Sequence, residues 1–189
     1  MTFAHDLRYS YEDYLRALAD SEIKLEYCAG VIYAMAGGTI AHAMIGATAV
    51  QLLKNALGGR CVVLTSDAKV RVETSDFAGF PDVSVVCGEI LTSSIDEHAI
   101  TNPTVLVEVT SRSTENYDRG EKLAHYQALS SLCAVLFVSH QERRVTVVER
   151  AAGKWTTREV REGERVRLAE PEVDFAVDEL YAGIALEAR

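Results

Sequence analysis

The sequence predicts an α/β fold: a central mixed sheet flanked by helices, with β-hairpins added at both ends. Three observations predict it. Short apolar runs of strand length alternate with longer stretches of helical spacing. The elements follow in the order helix, several strands, helix, strand. Strand-like text also doubles back about Ala29-Gly30 near one end and Ala152-Gly153 near the other. The chain has 189 residues, 48% of them hydrophobic, and its three prolines are scattered rather than gathered in a linker. One domain spanning 1–189 is therefore expected.

Residues 10–19 read as a short helix, and 23–36 alternate as a hairpin. Ile40–Leu57 carries Ile45, Ala49, Leu52, Leu53 and Ala56 at helical spacing, and Gly58-Gly59 ends it. Strands are expected at 61–64, 69–73, 83–87 and 105–109. Asp118-Arg-Gly-Glu121 has the form of a capping box, opening a helix that runs to about Leu129. Residues 134–139 form a further strand, and 145–149 with 155–160 a closing hairpin. A right-handed crossover from Val105 to Ser139 would lay the second long helix on the sheet that carries Glu108.

Charge limits the partners. Nineteen Lys and Arg against 28 Asp and Glu give a net charge of -9, unsuited to generic polyanion binding. Residues 143–167 hold eight basic and four acidic side chains; this stretch reads either as a phosphate-backbone contact or as solvated strand faces. No apolar run reaches the roughly 20 residues of a membrane span, and the N-terminus lacks the layout of a signal peptide. A soluble, cytoplasmic protein is expected. Cys28, Cys61, Cys87 and Cys133 form no CxxC pair, so reduced thiols in a reducing compartment are expected rather than a zinc site or a disulfide. No GxSxG, HExxH or GxxxxGK[ST] occurs, which removes the usual anchors of serine hydrolase, zincin and P-loop chemistry.

The chemistry concentrates in two strands. Glu108 interrupts Val105-Leu-Val-Glu-Val109, a run apolar on both faces, where an unpaired carboxylate is costly. Asp82 precedes the strand Val83–Cys87. If the two strands are neighbours, the acids converge as hard oxygen ligands suited to Mg²⁺. Each acid alone also has a structural reading, as a turn cap or as half of an ion pair. Lys122 shares a helical stripe with Tyr126, Leu129 and Cys133, which turns it inward; alone, it also reads as a lysine extending its head group to water. Asp67 is either near this site or a turn acid, and His42 opens a helix.

A Pro-Asp strand, a Glu on a neighbouring strand and then a Lys resembles the PD-(D/E)xK nuclease superfamily. The surrounding text resembles one branch, the Uma-two family of restriction-endonuclease-like proteins in bacteria. The phrases are Tyr11-Glu-Asp-Tyr-Leu15, Lys24-Leu-Glu-Tyr27, Ile32-Tyr-Ala-Met-Ala-Gly37, His42 and Ser66-Asp67. They continue with Phe80-Pro-Asp-Val-Ser-Val-Val-Cys-Gly88, Glu108-Val-Thr-Ser111 and Ser113-Thr-Glu-Asn-Tyr-Asp-Arg-Gly-Glu-Lys-Leu-Ala-His-Tyr126. The resemblance implies a restriction-endonuclease-like core and Mg²⁺-dependent phosphodiester hydrolysis, with Mn²⁺ able to substitute. It implies Asp82 and Glu108 as metal-binding and catalytic carboxylates and Glu26 as a supporting acid. The superfamily lysine, expected two residues after the glutamate, is replaced here by Thr110; the resemblance implies Lys122 on the following helix in its place. Val31 stands where the family more often has an acid.

The leading expectation is a Mg²⁺-dependent DNA endonuclease. Asp82 and Glu108 would hold the metal, Lys122 would orient water or neutralise the phosphate, and Glu26 would support them. The alternative is a nuclease-fold nucleic-acid-binding module with little or no catalysis, favoured by Thr110 and the net charge. Hydrolysis of RNA or a nucleotide is not separable from DNA cleavage by sequence. Cutting both strands of a duplex would suit a homodimer, and no residue pattern fixes one.

Overall fold

The computed structural model describes residues 8–35, 37–111 and 115–186. The expected hairpin end at Ala36 and the Ser113-Thr114 opening of the longest family-like phrase lie outside the described residues. Helix α1 (Tyr11–Ala19) starts where Ser10 and Asp13 cap each other reciprocally. Strands β1 (Leu25–Cys28) and β2 (Val31–Ala34) pair through Ala29 and Gly30, both at positive φ as a tight hairpin requires. Helix α2 (Ile40–Leu57) is capped by the Thr39 hydroxyl and ends at the left-handed Gly58. Six strands follow: β3 (Cys61–Thr65), β4 (Lys69–Val72), β5 (Phe77–Gly79), β6 (Val83–Cys87), β7 (Thr92–Ser93) and β8 (Asp96–Ile100). Strand β9 (Val105–Thr110) leads to α3 (Glu115–Tyr117), a π-turn (Asp118–Lys122) and α4 (Leu123–Gln127). The chain continues through β10 (Ala134–Ser139), β11 (Arg144–Ala151), β12 (Lys154–Arg161), β13 (Arg165–Leu168), β14 (Val173–Ala176) and α5 (Val177–Leu180).

Two six-stranded mixed sheets result. One has the order β12-β11-β10-β9-β6-β3, with β9 and β10 parallel and the helical segment between them. The other has the order β2-β1-β5-β4-β8-β7, so the first hairpin and the strand at Lys69 build a second sheet rather than decorating one. Alternation along β9 assigns its faces. Val105, Val107 and Val109 join Ile45, Ala49 and Leu53 of α2 in one core. Leu106 faces the other way and joins Val70, Val72 and Phe77 of the second sheet, together with Tyr126 and Leu129. Tyr11 and Tyr14 of α1 close the far side of the second sheet on Tyr27 and Ala78. No described helix is long and apolar enough to cross a membrane.

Two expectations are corrected. Helical structure begins at Glu115, not Asp118, and Asp118 is buried inside the π-turn instead of capping a helix. Cys61 and Cys87 form a disulfide, because β3 and β6 are antiparallel neighbours in a register that sets these two residues directly opposite. Cys28 and Cys133 are free. In 143–167, Arg143 pairs with Glu162, Arg144 with Glu142, Arg161 with Glu159 and Arg165 with Asp174, an arrangement that suits the solvated-face reading of this stretch.

Candidate active site

Four chain segments bring the acids and the lysine together between the sheets. On β9 every residue is buried, and Glu108 lies on the same face as Leu106, turned toward the second sheet. On β1, Tyr27 turns toward α1, so Glu26 turns the other way, toward the helical segment. The π-turn delivers Lys122, which is 3% exposed, into this space. Its Nζ is 2.9 Å from Glu26 Oε1 and 3.0 Å from Glu108 Oε1. Tyr126, on the same stripe as Lys122, donates its hydroxyl to Glu108 Oε1 at 2.7 Å. Lys122 therefore reaches Glu108 directly, as the helical stripe predicted.

Asp82, just ahead of β6, is fixed differently. Its Oδ2 accepts the Val109 backbone N–H at 2.7 Å, which ties it to β9 one residue from Glu108. His42 Nε2 lies 3.4 Å from the same oxygen. Thus α2 contributes to the site from the opposite core, which sequence reasoning missed by giving His42 no role. Glu26 Oε1 also accepts the Phe80 backbone N–H at 3.2 Å. Gly79 makes room for it: a Cβ there would sit 2.8 Å from Glu26 Oε1. Gly79 and Tyr126 were not singled out as site residues. Asp67 stands apart, paired with Lys24 on the surface. Thr110 is buried beside Glu108 on the same strand face and carries no charge.

The contacts fall on one oxygen of each acid. Among the described residues, nothing hydrogen-bonds to Oε2 of Glu108, Oε2 of Glu26 or Oδ1 of Asp82. Burial pushes the Glu108 carboxyl up to about 8; the Lys122 ammonium works against this, and Asp82, Asp118 and Glu26 add to it. Burial alone would lower Lys122, but Glu108, Glu26 and Asp118 reverse that and hold it above its ordinary value. Both shifts fit a charged Lys122 beside a Glu108 that takes up a proton more readily than a carboxyl in water. His42 is raised by its hydrogen bond to Asp82.

Among the described residues, Glu26, Glu108 and Asp82 face one ammonium and the His42 imidazole, and three carboxylate oxygens are not engaged. That donor set fits a hard divalent cation. Among the described residues no three His, Cys, Asp or Glu side chains already form a ligand group. The protein would supply two carboxylates, Asp82 and Glu108, with water and substrate oxygens completing the shell, as Mg²⁺ prefers.

Comparison with known proteins supplies the context. The model of the Uma2 family, described as "Putative restriction endonuclease", matches residues 11–179. An uncharacterized protein of Synechocystis sp., slr1290, is 35% identical over 178 residues, covering 93% of each chain. A second from the same organism, sll1609, is 27% identical over 127 residues, covering 67% of this chain and 72% of its own. Among solved structures, a putative nuclease of the DUF820 group from Anabaena variabilis superposes with a TM-score of 0.74. It has 15% sequence identity, with 90% of this chain and 96% of the other covered, so the likeness is one of fold.

Proposed function

The chain belongs to the Uma2 family, and from that premise we propose that it is a Mg²⁺-dependent endonuclease that hydrolyses phosphodiester bonds in DNA. The observation that carries the reading is Lys122, buried and bonded to Glu108 and Glu26 beside Asp82, with one oxygen of each acid unengaged among the described residues. A structural ion pair needs one acid, whereas Lys122 contacts two, and Asp82 adds to the electrostatic cost at Glu108.

Asp82 and Glu108 would hold the cation. Bound there, Mg²⁺ or Mn²⁺ would neutralise charge on the phosphate and make water a stronger nucleophile at neutral pH. The Val109 N–H and His42 fix Asp82, and Tyr126 fixes Glu108, so the ligands are oriented before substrate arrives. Lys122 is placed to neutralise a phosphoryl oxygen or orient the attacking water, and Glu26 keeps it charged and in position. Lys122 would thereby take the role left vacant at Thr110.

Supercoiled and linear DNA, incubated with Mg²⁺, Mn²⁺ or a chelator, test this. Cleavage should require the cation and should vanish in Asp82→Asn, Glu108→Gln and Lys122→Ala. Cutting that survives both the chelator and Asp82→Asn would overturn the reading. Thr110 favours the second reading, a binding module of nuclease fold; DNA binding by the wild type without cleavage under any cation would select it.

A further inference from the structure

Two tyrosines stand next to the Lys122–Glu26 ion pair. Tyr33 is directly opposite Glu26 in the β1–β2 register, and opposed residues project on the same face of the pair. Tyr117 precedes Lys122 by five residues. In an α-helix that spacing would put them about 140° apart, but the intervening π-turn adds a residue to the turn and brings both toward one side. The two rings lie 6.3 Å apart, tilted by 43°. Tyr33 is 44% exposed. The Tyr117 hydroxyl is buried with no hydrogen-bond partner among the described residues, so no polar tether there accounts for the placement of this ring. The molecule thus carries an aromatic pair beside its acid cluster.

Its charge points the same way. The net charge is -9, and Arg143, Arg144, Arg161 and Arg165 are neutralised by carboxylates. Intact duplex is gripped mainly through unpaired cations on phosphates. An unpaired base can in addition stack on an aromatic ring, a contact that duplex bases, already stacked on their neighbours, do not offer. We propose that Tyr33 and Tyr117 form a stacking platform for an unpaired base, so that the substrate presented to the acid cluster is single-stranded nucleic acid rather than intact duplex. The identity of the strand as a substrate rests on the nuclease reading above; the stacking itself does not.

The test is binding by the full chain in a chelator, where no cutting occurs. Fluorescence anisotropy would use labelled single strands of about a dozen nucleotides, one DNA and one RNA, and the blunt DNA duplex of the same sequence. Single strands should bind more tightly than the duplex, and the tighter of DNA and RNA names the sugar. Tyr33→Ala and Tyr117→Ala should each weaken single-strand binding by roughly 5- to 150-fold, the equivalent of about 1–3 kcal/mol per stacked base. Tyr117→Phe and Tyr33→Phe should bind as wild type, since the ring and not the hydroxyl stacks. If Tyr117→Ala does not fold, the exposed Tyr33 decides: Tyr33→Ala should weaken binding and Tyr33→Trp should retain it. Duplex binding as tight as single-strand binding, alanine variants that bind normally, or no single-strand binding would each overturn the proposal. So would a dimer in solution that Tyr33→Ala converts to monomer, because a second copy would then cover the platform. Chelator-sensitive cleavage is measured separately, so the nuclease reading can stand while this proposal fails.

Discussion

Lys122 Nζ sits 2.9 Å from Glu26 and 3.0 Å from Glu108, so a change to either acid alters the field at the other. Glu108 makes this measurable without substrate. Its carboxyl is raised from 4.5 to about 8 in the folded chain. Between those values the folded state binds a proton that the unfolded state has released. The metal-free native state is therefore favoured at low pH and loses that advantage as pH rises through about 8, by at most about 1.4 kcal/mol per pH unit. Denaturant melts in a chelator should show the wild type losing stability relative to Glu108→Gln across that window. Parallel curves would assign the shift elsewhere. Gly79 gives a second test at this scale. A Cβ there would meet Glu26 Oε1 at 2.8 Å and Phe77 Cζ at 2.7 Å, and Phe77 is held by stacking on His125. Gly79→Ala should cost about 1–3 kcal/mol by overpacking and should reduce metal-dependent activity by displacing Glu26 from Lys122.

Among the elements, β3 and β6 show what a sequence conceals. Both were legible as strands, and the limits of α2, β6 and β10 agree with the apolar pattern that predicted them. Their pairing was not legible, because register is set by neighbours distant in sequence; the Cys61–Cys87 disulfide followed from it and was missed. The helical segment was half legible. The stripe from Lys122 to Tyr126 placed the lysine correctly, but an inserted π residue breaks the spacing, so Asp118 was misread as a cap. Strands β7 and β8 carry Thr92, Ser93, Asp96, Glu97 and His98, too polar and short to register as strands at all. Of the candidate acids, Glu108 stood out as a charge in apolar text and Asp82 at the head of a buried strand, whereas Glu26 came only from the family resemblance; His42 was given no role, since its partner Asp82 comes from another core layer. The disulfide supplies the prediction at this scale. It closes a loop of 26 residues, and reducing it, or replacing both cysteines with Ala, should lower stability by about 3 kcal/mol. Unchanged melts under reductant would show that the bond does not form in solution.

The whole molecule couples its two sheets through one shared core in which Val70 and Phe77 meet Leu106 and Phe137, so the chain should unfold in a single transition. Its long-range charge is equally testable. Because Arg143, Arg144 and Arg165 are paired with acids, replacing all three with Ala should leave the salt dependence of nucleic-acid binding unchanged. A slope reduced by about 0.9 for each residue would mean that the pairs open onto phosphate.

Stability and function meet in the response to the cation. If Asp82 and Glu108 hold Mg²⁺ or Mn²⁺, binding stabilises the native state by RT ln(1 + [L]/Kd), about 2.7 kcal/mol at a hundredfold excess over Kd. For a chain of this length each kcal/mol moves the melting temperature by about 2–4 °C, so the wild type should gain roughly 5–10 °C. Asp82→Asn and Glu108→Gln should gain nothing and should also fail to cleave. In a chelator, Glu108→Gln should be no less stable than the wild type, because Lys122 retains Glu26 as its partner and a carboxylate that resists ionisation is gone. Lys122→Ala is the opposite case: it strands two buried acids and should cost about 3–5 kcal/mol in the chelator. Added cation should recover part of that loss, since it brings positive charge back to the same carboxylates. A purely structural lysine predicts the same initial loss with no recovery, so the cation response of Lys122→Ala separates a metal site from an internal ion pair even before any substrate is known.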